Sequence, residues 1–191
     1  GTGGGNYDFS YGQHALFGIE PDNGGGGGEE SAYNIQMYSD FTISPNPLVQ
    51  GQSVSVSADV ANVSDADFYG SFKLVLETAN ATQVQVIQEI TVNQAFSSMT
   101  YGNLPMSGTV TASAGTYKLA LYYKGSNEST WHYCGTNYGY DNPVTVTVTG
   151  SSTNSYNIQM YSDFTTSPNP LVQGQSVSVS AAVANVGDNS F

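Results

Sequence analysis

Gln52-Ser53-Val54-Ser55-Val56-Ser57-Ala58-Asp59-Val60-Ala61-Asn62 places an apolar side chain at every second position from Val54 to Val60. Successive side chains of an extended chain point to opposite faces, so this run forms a strand with one buried and one wet face. The same period of two recurs outward from it. Phe72, Leu74 and Leu76 alternate with Lys73 and Val75, and Val84 and Val86 alternate with glutamines. Leu119 and Leu121 lie within 117–123, a further strand is expected over 130–134, and Val144, Val146 and Val148 are spaced by threonines. Turn chemistry separates these runs: Ser44-Pro45-Asn46-Pro47, Gln50-Gly51, Ser64-Asp65, Gly125-Ser126-Asn127 and Asp141-Asn142-Pro143. About seven short strands in roughly 115 residues predict an all-β chain folded as an antiparallel β-sandwich. Tyr117, at the start of its strand, is placed as the corner tyrosine of such sandwiches.

The opening run belongs to a longer internal repeat. Residues 33–68 recur as 156–191, an offset of 123, and the paired positions differ only at 43, 59, 64, 66 and 67 of the first copy. A repeat at this period marks one folded unit followed by another. The expected organisation is a separate N-terminal piece over 1–22, a glycine-rich linker over 23–31, a sandwich over 32–150, a short linker over 151–155, and the first strands of a partial second repeat over 156–191. On this reading the chain begins inside one folded unit and ends inside another.

The chain carries 3 Lys, no Arg and 15 acidic residues, a formal charge of −12 with only 9% charged residues. Phosphate backbones and anionic bilayers are held by clustered basic residues, so nucleic acid and membrane surfaces are excluded as partners. No apolar run approaches the ~18 residues of a spanning helix. The single cysteine, Cys134, excludes an internal disulfide framework and any multi-cysteine zinc site.

Two resemblances enter on particular residues. Ser44-Pro45-Asn46-Pro47-Leu48-Val49-Gln50-Gly51-Gln52-Ser53-Val54-Ser55-Val56, followed by Ala61-Asn62-Val63, resembles the opening strands of bacterial extracellular Ig-like domains of the adhesion-related type. The resemblance covers 33–150 and again 156–191. It implies an Ig-like sandwich and an extracellular or cell-surface location. The glycine-rich Gly1–Gly5 stretch, then Tyr11-Gly12-Gln13-His14-Ala15-Leu16-Phe17-Gly18-Ile19-Glu20-Pro21, resembles the C-terminal end of streptopain-like cysteine peptidases. That match spans 21 residues, departs from the family pattern at Asn6-Tyr7-Asp8, and omits the nucleophile and catalytic histidine, which lie upstream in that family.

The N-terminal glycines lack the preceding strand and the Lys-Ser/Thr of a phosphate loop. His132 and Cys134 share a strand face, but neighbours on one strand rarely reach hydrogen-bond geometry and no third group is in view, so no catalytic residue is assigned. Asp65, Asp67 and Asp141 are candidate ligands for a hard cation, although they lack ordered calcium-loop spacing. Tyr122, Trp131, Tyr138 and Tyr140 are candidates for a sugar-stacking platform. Leu104-Pro105-Met106-Ser107-Gly108 resembles a sortase signal without its apolar tail and is expected to be a loop.

No cofactor is expected. The sequence predicts a non-catalytic structural or adhesive unit, with two alternatives: the tethering tail of a secreted streptopain-like peptidase, or a carbohydrate-binding module. Self-association is expected head to tail, by strand addition between Phe9, Tyr11, Leu16, Phe17 and Ile19 of one copy and Val177, Val179 and Val183 of another. A glycan or cell-surface ligand is the other expected partner.

Overall fold

Ser53–Asn62 forms one ten-residue strand, and its alternating Val54, Val56, Ala58 and Val60 are all buried, as the period of two requires. The computed structural model describes residues 5–7, 13–16, 31–151 and 157–187, divided between a unit Gly1–Ser151 and a unit Ser152–Phe191. In chain order the strands of the first unit are β1 (Gly5–Tyr7), β2 (His14–Ala15), β3 (Ile35–Met37), β4 (Thr42–Ser44), β5 (Leu48–Val49) and β6 (Ser53–Asn62). They continue with β7 (Gly70–Glu77), β8 (Gln83–Val92), β9 (Thr100–Thr109), β10 (Gly115–Gly125), β11 (His132–Tyr133) and β12 (Val144–Thr149).

One sheet runs β8-β7-β10-β12-β5, with β11 beside the second half of β10; the other runs β9-β6-β3, with β4 also on β6. Consecutive β6 and β7 lie in opposite sheets, as do β8 and β9, which is the crossed connectivity of an Ig-like sandwich. β5 joins β12 in parallel, pairing Leu48 with Val148 and Val49 with Thr149. Tyr117 donates from its hydroxyl to the Ser113 carbonyl at 3.0 Å, the expected corner contact.

The two inner faces meet around Phe68. Its ring lies 5.0 Å from Tyr33, 5.3 Å from Phe72 and 6.0 Å from Tyr123, edge-on to Tyr33 and Tyr123. Leu74, Leu76, Leu104, Leu119 and Leu121 complete the layer. Buried Asn62 serves the corner beneath it, donating to the carbonyls of Ala66 and Phe96 at 3.0 and 2.9 Å and accepting from Ser64.

Three sequence expectations change. Leu104–Gly108 is not a loop but the middle of β9, whose Gly102, Leu104 and Met106 alternate inward. Pro105 is exposed on the part of β9 that only β6 pairs, an edge where a missing N–H is tolerated. Gly108 is small because its α-carbon approaches β8: an added Cβ would lie 2.4 Å from the Ile87 carbonyl oxygen. Next, Val84 is exposed; a bulge against Leu74 and Val75 shifts the phase, and Ile87, Ile90 and Val92 are the buried residues. The freed Gln85 and Gln88 accept from backbone N–H groups of Thr111, Ala112 and Ser107, tying the edge of one sheet to the other. Finally, the strand expected over 130–134 contracts to His132–Tyr133.

The N-terminal piece is not held apart. β1 pairs in parallel with Ile90–Val92 of β8, and β2 pairs antiparallel with Thr100 and Tyr101 of β9. Both are outer strands of their sheets, and their open backbone groups explain the addition. Gln13 accepts from Ser97 N and Thr100 Oγ1 at 2.9 Å each, and Leu16 is buried against Ala61 and Val63. Leu16 is thereby spent on its own chain's sandwich, while Phe9, Tyr11, Phe17 and Ile19 lie outside the described residues.

The second unit repeats the local pattern. β13 (Ile158–Met160), β14 (Thr165–Ser167), β15 (Ser178–Ser180) and β16 (Val183–Asn185) form two antiparallel pairs. Ile158 opposes Asn185 as Ile35 opposes Asn62, and Thr165 opposes Ser180 as Thr42 opposes Ser57. Burial differs completely. Leu48, Val56 and Val60 are 0–3% exposed, whereas their counterparts Leu171, Val179 and Val183 are 65%, 56% and 63% exposed, and Val177 is also exposed.

Candidate functional site

Because Phe72, Leu74, Leu119, Leu121 and Tyr123 face the core, the alternate residues of β7 and β10 project from the outer face of that sheet. These are Ser71, Lys73, Val75 and Glu77 on one strand and Lys118, Ala120, Tyr122 and Lys124 on the other. All three lysines of the chain therefore share one face.

At its centre is Glu77, only 1% exposed, whose two carboxylate oxygens accept from the hydroxyls of Tyr122 and Tyr133 at 2.7 and 2.6 Å. The Tyr122 side chain must reach over the intervening Val75–Ala120 row to do so, and both residues of that row are buried. Tyr133, the register partner of Tyr122 on β11, stacks on it with ring centres 4.2 Å apart. The Lys73 ammonium lies 5.3 Å from the Tyr122 ring centre and 4.5 Å from that of Trp131, and Lys124 reaches the same indole at 4.8 Å. Burial lowers the Lys73 pKa from its ordinary value; Glu89 pulls it back up and Lys124 adds to the lowering. Among the described residues no lysine has a carboxylate oxygen within 4 Å.

Beside Lys124 the face opens into a groove of about 510 Å³, lined by Tyr69, Ser71, Thr91, Ser126 and Glu128 among others. Tyr69 is 49% exposed. Glu128 is saturated: it accepts from Ser31 Oγ at 2.7 Å and from the backbone N–H groups of Ala32 and Gly125 at 2.9 and 2.8 Å, with His132 at 3.8 Å. Burial pushes its pKa up, but these donors outweigh that and hold it below the usual carboxylate range.

The four aromatic candidates thus separate. Tyr122 and Trp131 join this cluster, Tyr138 packs edge-on to Tyr38 at 5.3 Å over the other sheet, and Tyr140 lies against the main core. Asp65, Asp67 and Asp141 sit on exposed turns, and Asp67 accepts from Ser98 N at 2.8 Å. The Cys134 thiol is buried in the core and pushed up in pKa by that burial. Glu77, Lys124 and Tyr69 were not singled out by sequence; the even spacing 73/77 and 118/122/124 was the available signal.

The pH dependence follows from the phenols. Burial, then hydrogen bonding to Glu77, raises the pKa of Tyr133; Tyr122 is raised by burial and by both its neighbours, Tyr133 and Glu77. Their unfolded values lie near 10.0, and that of the thiol near 9.0. Groups raised on folding contribute stability that is complete below the unfolded value and lost as pH climbs toward the folded one. Urea midpoints are expected to stay level from roughly pH 7 to 8.5 and to decline above about pH 9–10. A midpoint that holds level to about pH 11 would contradict this linkage.

No protein-family model matches the chain, and no curated protein does. Among solved structures, the C-terminal domain of Wzt aligns at 14% identity over 61% of this chain and 78% of its own, with a TM-score of 0.41. A Niemann-Pick type C2 protein from the Japanese carpenter ant aligns at 8% identity, over 61% of this chain and 92% of its own, with a TM-score of 0.42. The CARDB domain of a Pyrococcus furiosus protein, in complex with di-metal ions, aligns at 14% identity over 62% and 93%, with a TM-score of 0.35.

Proposed function

We propose that the chain is a non-catalytic segment of extracellular Ig-like repeats with a structural and adhesive role, associating head to tail. The observation that carries this reading is the recurrence, 123 residues on, of the stretch that supplies β3 to β6 of the sandwich, with the same strand registers in both copies. An array of one repeated unit multiplies length and attachment points without new chemistry. Ile158, Met160, Leu171, Val177, Val179 and Val183 are exposed in the second unit, and an apolar face beside open strand edges is a template for a neighbouring chain. Sedimentation velocity tests the association: the average mass should rise at least about twofold between roughly 10 μM and 1 mM, and Val179→Asp should abolish the rise. A chain that stays monomeric throughout rejects head-to-tail assembly.

A second reading, a sugar-binding module, is favoured by the groove at Tyr69 and Lys124.

A further inference from the structure

The adhesive reading leaves the ligand's chemistry open, and the outer face of the β7–β10 sheet narrows it. We propose that the groove beside Lys124 binds an acidic sugar, a pyranose carrying a carboxylate, with Lys124 meeting the carboxylate, Lys73 adding positive charge from across the Trp131 ring, and Tyr69 and the groove hydroxyls meeting the sugar ring. This inference rests on the adhesive part of the proposed function.

Charge gives the first argument. In a chain of net charge −12, two of the three lysines converge on one indole, within 5 Å of its centre, and neither forms an ion pair with a described carboxylate. The two like charges repel each other, Glu89 offsets that repulsion only from beyond ion-pair distance, and an anion in direct contact relieves it further. The carboxylates nearby do not take the role. Glu77 is engaged by two phenols, Glu128 by three donors, and Glu89, the register partner of Lys73, makes no ion pair with it.

Shape and polarity give the second. The volume of about 510 Å³ lies in the range of small-ligand sites. It is lined by the half-exposed Tyr69, by Ser71 and Thr91, whose hydroxyls lie 3.0 Å apart, by Ser126, and by Glu128, whose carboxylate is already engaged by three donors. An aromatic face with adjacent hydroxyls suits a polyhydroxylated ring, while the faces of Tyr122 and Trp131 are already taken by lysines and Tyr133. This assigns the sugar contact to Tyr69 rather than to the tyrosines singled out by sequence.

The chain's one tryptophan, Trp131, reports on the site through Lys124, whose ammonium lies 4.8 Å from its ring centre. Tetragalacturonic acid titrated into the 191-residue chain should change Trp131 emission in a saturable way, and the affinity should fall as salt rises from about 20 to 200 mM. Its fully methyl-esterified form should bind at least about tenfold more weakly. Lys124→Gln and, separately, Tyr69→Ala should each weaken the acid form by about tenfold, with unchanged melting temperatures. The site is overturned by an emission spectrum that ignores the acid oligomer at millimolar concentration, by equal binding of the ester, or by full-strength binding in both variants. A chain that self-associates but ignores the sugar rejects this site alone; one that binds the sugar yet stays monomeric rejects the assembly alone.

Discussion

Phe68→Ala is expected to lower the stability of the first sandwich by about 3–5 kcal/mol, the largest loss from any single truncation in the chain. Phe68 is fully buried and touches three other rings, two of them edge-on, so truncation forfeits both transfer energy and ring contacts. The neighbours have little room to collapse into the space. Tyr123 is fixed by its hydroxyl, which donates to the Tyr33 carbonyl at 2.8 Å, and Phe72 is fixed by the β7–β10 register. Urea unfolding followed by Trp131 fluorescence measures the change; a loss under about 1.5 kcal/mol would mean that the rings repack and that Phe68 is not the centre of the core.

The paired substitution Tyr122→Phe with Tyr133→Phe is expected to cost about 2–4 kcal/mol, although it deletes only two oxygen atoms. Both phenols donate to a carboxylate that is 1% exposed, and removing them strands a buried charge. The half-exposed position of Tyr133 lets some water in and keeps the loss at the lower end. Adding Glu77→Leu to the pair should recover most of it, because the charge leaves with its partners. If the triple variant is no more stable than the double, stacking rather than the carboxylate holds this face together.

Much of the architecture was legible because β6, β7, β10 and β12 turn an apolar residue inward at every second position, and because Tyr117 marks its corner. β9 escaped because Gly102, Pro105 and Gly108 have the composition of a turn. Two of them are explained only by their neighbours: an open edge for Pro105 and the Ile87 carbonyl for Gly108. The Val84 and Val86 alternation misled because a bulge, invisible in composition, reset the phase of β8. The candidate site was legible only in part. Tyr122 and Trp131 stood out as aromatic residues, whereas Glu77 and Lys73 became relevant only when the register set β7 beside β10, some forty-five residues later in the chain.

The short parallel pairing of β5 with β12 bears on load. Once β3 and β4 have released from β6, a pull along the chain draws these two strands along their length in opposite directions, so their bonds, Gln50 N to Thr149 O at 2.9 Å and Thr149 Oγ1 to Leu48 O at 3.0 Å, are strained together instead of opening one after another. Bonds sheared in unison resist tension better than bonds unzipped singly. Along that direction the two-residue β5–β12 patch holds until its bonds break together.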